Sequence, residues 1–231
     1  VIQNNPDRPS KRLWTENNAG THLKHYTAID EHAEANFIIE TMQKEHMEKH
    51  RPYGDMAVLY RMNAQSRVIE EALVRRGIGY TMVGGTRFYD RAEIRDMLAY
   101  LKVINNFKDN ISLARIINTP KRGIGGTTVE KLLDYANAGG MSMFEGIMGI
   151  EGSGLSSATQ RKLTNFSAMI FDFLNASTEM NVFELIQKVM TDTKYLAQLQ
   201  ESKDPQAQSR EENLGELLSV AKDFITEQPE G

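Results

Sequence analysis

The sequence predicts an α/β segment followed by an all-α one. Three observations predict it. Short runs rich in β-branched and aromatic residues alternate with helical periodicity up to residue 86, the pattern changes at Gly84-Gly85, and helical periodicity alone follows. His22–Thr27 reads as a short strand. Glu31–His50 reads as a helix with Phe37, Ile38, Thr41 and Met42 on one face. Asp55–Met62 (DMAVLYRM) is a continuous apolar run, which fits a buried strand. Ala64–Arg76 reads as a second helix with Val68, Ile69, Ala72 and Leu73 as its stripe, and Gly77 stands where a C-terminal cap belongs. Tyr80–Val83 reads as a third strand. Strand–helix–strand–helix–strand at these lengths implies a parallel sheet with helices packed on it. The expected domains are therefore 1–86 and 87–231.

From Asp90 to Phe224 only helices are expected. Ile94, Met97, Leu98, Leu101 and Ile104 make one apolar face. Leu163, Phe166, Ile170, Phe173 and Leu174 make a second, and Leu214, Leu217, Leu218, Ala221 and Ile225 a third. Such spacing buries one side of each helix in a bundle. Asn181-x-x-Glu184 resembles a capping box, and Asp204-Pro205 places a cap before a first-turn proline. The glycine-rich stretch 139–157 reads as a mobile loop. Residues 1–20, punctuated by Asn, Pro and Gly, read as an irregular connector.

Composition narrows the function classes. No apolar run approaches the roughly 18 residues of a membrane helix, and VIQNNPDRPSKR has no apolar core, so it does not read as a signal peptide. With no cysteine, disulfides, thiol catalysis and cysteine-ligated zinc are excluded. The cytoplasm is the default compartment. The net charge of −4 argues against a general nucleic-acid glue. Its distribution matters more: residues 1–86 carry 11 basic and 11 acidic side chains, 87–144 carry 9 and 6, and 145–231 carry 7 and 14. A phosphate-binding surface belongs in the middle.

The segment that points most directly to chemistry is Thr119–Lys131 (TPKRGIGGTTVEK). Pro120 ends the preceding helix, and Lys121 and Arg122 bring positive charge. Gly123 and Gly125 permit a tight turn whose amides a ligand can approach. Thr127-x-x-Glu130 reads as a capping box that starts a helix there, and a helix N-terminus suits phosphate. The whole is similar to the turn of helix-hairpin-helix DNA-binding motifs, whose backbone contacts are largely indifferent to base sequence. A plain helical connection with glycines at the bend is the competing account. A second segment, Ala57–Arg67 (AVLYRMNAQSR), places Arg61, Asn63 and Gln65 just past a strand end, where open α/β sheets bind ligands. Helix capping plus surface charge explains those residues more simply.

Other features carry no chemistry. His46 and His50 lack both the HExxH pattern and a third ligand. No GxxxxGK[ST] phosphate loop occurs, and no Asp-Glu pair ends a buried strand as a Mg²⁺ site requires. Met141, Met143 and Met148 read as core filler.

Four blocks in order, AVLYRMNAQSRVIEEAL, GYTMVGGTRFYDRAEIRDMLAYLKVI, LARIINTPKRGIGGTTVEKL and QSREENLGELL, resemble the UvrD/PcrA/Rep group of superfamily 1 helicases, in its PcrA branch. That resemblance implies an ATP-driven 3′-to-5′ DNA translocase. Residues 1–86 would be part of a RecA-like motor domain, 2A, and 87–231 its helical insertion, 2B, with Gly84–Arg91 as the junction. It implies that Arg61 and Asn63 touch single-stranded DNA. It also implies that Gly123, Ile124, Gly125, Thr127 and Thr128 contact duplex DNA, assisted by Lys121 and Arg122. No cofactor is expected in this chain; ATP and Mg²⁺ would serve the full-length protein. The expected partner is DNA, single-stranded and duplex, with protein partners through the helical domain possible. The alternatives are a helical protein-interaction or autoinhibitory module and a standalone helix-hairpin-helix accessory protein.

Overall fold

The computed structural model describes residues 14–16 and 20–227. Most of the expected connector, residues 1–13 and 17–19, lies outside them. Ten α-helices are described: α1 (Glu31–Lys49), α2 (Ser66–Arg75), α3 (Ala92–Asn105), α4 (Asn110–Ile116), α5 (Gly126–Ala138), α6 (Met143–Met148), α7 (Ser157–Ser177), α8 (Val182–Asp192), α9 (Tyr195–Gln200) and α10 (Ala207–Glu227). No strand occurs among the described residues, so the expected partial parallel sheet is overturned.

The physical reason lies in what the apolar runs specify. Met56, Val58 and Tyr60 are half-buried while Ala57 and Leu59 are exposed, and Ile78, Tyr80 and Met82 alternate in the same way with Gly79, Thr81 and Val83. Both segments are extended, with one side turned inward and the other to solvent. The Tyr60 hydroxyl comes within 3.9 Å of the Met82 sulfur. Yet no backbone hydrogen bond joins the two segments. Alternation dictates an extended backbone and its facing, but it does not supply a partner for the N–H and C=O groups. His22–Thr27 is likewise unpaired, and Tyr26 stacks on Phe37 at 3.9 Å. Phe37 lies two positions from both Ala35 and Ile39, the buried residues of α1, so helix geometry turns it to the other side, away from the face expected of it.

The helices follow their expected faces more closely. Asp30 caps α1 by accepting from the Ala33 amide. Gly77 closes α2 with φ +66°, and the Ile78 amide reaches back to the Leu73 carbonyl at 2.9 Å. Asn181 and Glu184 form a reciprocal capping box on α8. The stretch 139–157 is more ordered than its glycines suggest. Ser142 and Glu145 form a capping box that opens α6, and Phe144 stacks on Phe107 at 4.6 Å.

Two apolar clusters result. The small one joins Ile39, Leu73 and Ile78; the large one runs through α3 to α10, with Ile94, Tyr100, Val103, Leu113, Leu163, Phe166 and Phe173 almost wholly enclosed. Charged side chains span the gap between them. Arg67 is 1% exposed. Its Nε donates to Glu216 on α10 at 3.1 Å and its Nη1 to Glu71 at 3.2 Å. Burial alone would weaken that charge, but Glu216 and Glu71 outweigh it and raise the guanidinium pKa. Arg91 donates to the Asn213 side chain at 2.6 Å, the Ser66 hydroxyl at 2.7 Å and the Asn63 carbonyl at 3.0 Å. Asn213 in turn donates to Glu93 at 2.6 Å. Buried charge persists only when paired in this way.

Candidate nucleic-acid interface

The glycine turn sits between α4 and α5 on the outside of the bundle. Ile124, 1% exposed, is its anchor in the core. Lys121, Gly123, Gly125, Gly126 and Thr127 are exposed, and Thr128 is half-buried. Gly123 adopts φ +70°, a left-handed conformation that disfavours any residue with a Cβ. Gly125 is extended at φ −79° and serves as the N-cap of α5 without a side-chain cap.

The expected capping box at Thr127 is therefore displaced. Helix α5 begins at Gly126, and the amides of Thr128 and Val129 bond to the Gly125 carbonyl at 3.0 and 3.2 Å. Thr127 falls inside the first turn, too late to cap it. The amides of Gly126 and Thr127 are left with no protein acceptor among the described residues. With two glycines ahead of it, this helix start presents bare N–H groups where a serine or threonine cap would have covered one.

The turn is shaped from behind. The Asn118 side-chain oxygen accepts from the Arg122 amide at 2.8 Å and the Ile124 amide at 3.1 Å. The Arg122 guanidinium points inward. Its Nη1 lies 2.9 Å from the Ile116 carbonyl, 3.1 Å from that of Thr119 and 3.2 Å from that of Pro120, and its Nη2 donates to the Tyr100 hydroxyl at 2.6 Å. It also lies 5.3 Å from the Phe166 ring centre. The Tyr100 hydroxyl in turn donates a hydrogen bond to the Thr119 carbonyl. Burial pushes the Tyr100 phenol up to about 12, although the Arg122 charge beside it pulls the other way. Lys162, on α7, reaches across and donates to the Gly123 carbonyl at 3.0 Å.

Of the residues expected to meet duplex DNA, Lys121, Gly123, Gly125, Thr127 and Thr128 share one outer surface, while Ile124 and the Arg122 head group lie beneath it. Sequence reasoning missed Asn118, Tyr100 and Lys162. Asn118 precedes Thr-Pro, a turn signature that was available. Tyr100 reads only as an interior helical aromatic, and nothing local to Lys162 announces its reach.

Arg61 and Asn63 lie elsewhere, on the exposed polar turn ahead of α2. Gln65 shapes that turn by accepting from the Arg61 and Met62 amides at 3.1 and 3.0 Å. The Asn63 side chain makes one long bond, 3.4 Å, to Ser209 near the start of α10. The Asn63 carbonyl is held by Arg91. The two candidate surfaces thus belong to different parts of the molecule, and the Arg91 bonds to the Asn63 carbonyl and the Ser66 hydroxyl join the parts.

A family model described as the UvrD-like helicase C-terminal domain matches residues 1–231. The chain is 43% identical over 224 residues to a protein of Bacillus subtilis named ATP-dependent DNA helicase PcrA, covering 97% of this chain and 30% of that one. It is 44% identical over 225 residues to the protein of that name from Leuconostoc citreum, with the same coverage. With the Staphylococcus aureus protein of that name it shares 41% over 229 residues, 99% of this chain and 31% of the other. The chain spans about three-tenths of the length of these curated relatives.

Proposed function

The chain belongs to the UvrD-like helicase C-terminal domain family, and we propose that it serves as the DNA-gripping part of an ATP-dependent 3′-to-5′ DNA helicase. On this reading residues 1–86 are a portion of subdomain 2A and 87–231 of subdomain 2B, and the turn Gly123–Thr128 holds the backbone of duplex DNA. One observation carries the proposal: an exposed glycine turn, braced from inside by Asn118 and Arg122, that opens α5 with free Gly126 and Thr127 amides and carries Lys121 exposed on the same segment. Amides at a helix start favour an anionic oxygen, and contacts of that kind do not read sequence. Lys121 supplies phosphate charge. Arg122 holds the turn in shape and is a positioning residue.

Arg61 and Asn63 grip single-stranded DNA in this scheme. Their place on an exposed turn tied to the bundle through Arg91 suits a contact that must register movement of the helical part. No cofactor is assigned to this chain, and ATP and Mg²⁺ would serve the full-length protein. The sequence carries no phosphate loop, and no group of three or more His, Asp or Glu side chains converges on a metal-sized site among the described residues. A protein-interaction role for the acidic last third is the second reading; an exposed rather than buried glycine turn favours the first.

The test is duplex affinity against ionic strength. Binding should weaken steeply with salt and be alike for unrelated duplex sequences. Lys121→Ala should lower the log–log salt slope by about 0.9, one phosphate contact. Absence of binding even at low salt, or a marked sequence preference lost in the variant, would overturn the proposal.

A further inference from the structure

Lys162 stands on α7, 39 positions along the chain from the carbonyl it touches. An ammonium has three protons to donate. One goes to the Gly123 carbonyl, and no acceptor takes the other two among the described residues. The side chain is exposed, and neither Lys162 nor Lys121 takes part in any ion pair among the described residues. Two cations without carboxylate partners are therefore brought by different elements to one turn.

Gly123 makes room for this arrangement. A Cβ added there would stand 2.7 Å from the Lys162 nitrogen, inside contact distance. The missing side chain thus leaves space for an ammonium as well as permitting a positive φ. As a structural tie the contact is weak, because an exposed charged side chain in water gains little from one such bond. An uncompensated charge held at that place acts instead on an approaching anion.

We propose that Lys162 is a separate phosphate-binding residue of the duplex grip, its ammonium resting on the Gly123 carbonyl and turning its free protons to a phosphate oxygen when DNA reaches the turn. The inference rests on the duplex-binding reading of that turn and adds a residue from another helix. It is tested with the 231-residue chain and a fluorescent duplex of arbitrary sequence, by titrations across a salt range and parallel thermal melts of wild type, Lys162→Gln, Lys162→Arg and Arg161→Gln.

Lys162→Gln should lower the salt slope by about 0.9, so that the affinity lost between about 50 and 200 mM salt shrinks roughly 3.5-fold. Its melting temperature should match wild type. Lys162→Arg should keep the wild-type slope, and Arg161→Gln, which removes a neighbouring exposed cation with no contact to the turn, should keep it too. An unaltered slope in Lys162→Gln, or an equal fall in Arg161→Gln, would overturn the inference while a Lys121-dependent slope left the duplex reading standing. Wild-type protein that fails to bind at low salt would remove both.

Discussion

Arg122 was expected to lend its charge to DNA, yet its guanidinium faces the bundle, and Arg122→Ala separates the two roles. Nη1 carries two protons for the Ile116 and Thr119 carbonyls at 2.9 and 3.1 Å, with Pro120 sharing, and Nη2 gives one to Tyr100 at 2.6 Å. That makes about three charge-assisted bonds, each of which contributes about 1.5–3 kcal/mol net. The group is only partly enclosed, so water replaces some of the loss. About 3 kcal/mol is the resulting destabilisation. For a chain of this size about 2–4 °C of melting temperature accompanies each kcal/mol. Arg122→Ala should therefore melt about 6–12 °C lower by circular dichroism at 222 nm. Titrated well below its melting point, the variant should keep the wild-type salt slope, since no phosphate contact has been removed. A variant that melts with wild type but loses about 0.9 of slope would refute the reasoning and return Arg122 to the DNA surface.

Gly123→Ala should cost about 1–2 kcal/mol in chemical denaturation, because Gly123 holds φ +70°. Gly125→Ala, at φ −79° with nothing within 4 Å of the added Cβ, should leave denaturation within about 0.5 kcal/mol; equal costs at the two glycines would contradict the assignment of strain to Gly123. The Tyr100 phenol, raised from 10.0 to about 12 chiefly by burial, favours the neutral form in the folded state. Its contribution is complete below pH 10 and disappears as pH rises through about 12, a loss on the order of 2–3 kcal/mol. Tyr100→Phe should flatten that alkaline fall in melts taken from pH 9 to 12, and an unchanged fall would place the titration elsewhere.

The helical part was legible because its signals are local. Caps such as Asn181 with Glu184 and stripes such as Leu163, Phe166, Ile170 and Phe173 need only neighbours along one helix. The sheet was misread for the opposite reason. Val58, Tyr60, Tyr80 and Met82 specify extended backbone and an inward side, whereas a ladder depends on a second backbone that the pattern does not name. At the turn, glycine spacing located the exposed amides, but the capping box was placed two residues late because Gly125 can start a helix without a side chain. Arg122 shows the limit of charge as a guide: a cation beside glycines reads as a phosphate ligand until its distance to Tyr100 and the Ile116 carbonyl is known. Lys162 was invisible for lack of any local pattern.

Arg91, at the head of α3, is bonded to Asn213 on α10 at 2.6 Å. The excursion through α4 to α9 therefore departs and comes home at one doorway. Residues 92–206 are not hung from that doorway alone: α10 also packs along α8 and α9, and its Leu214, Leu217 and Ala221 lie in one core with α3 and α7. Excising them would therefore bare the buried side of α10 and unsettle the Arg67 contact to Glu216 that rests on it.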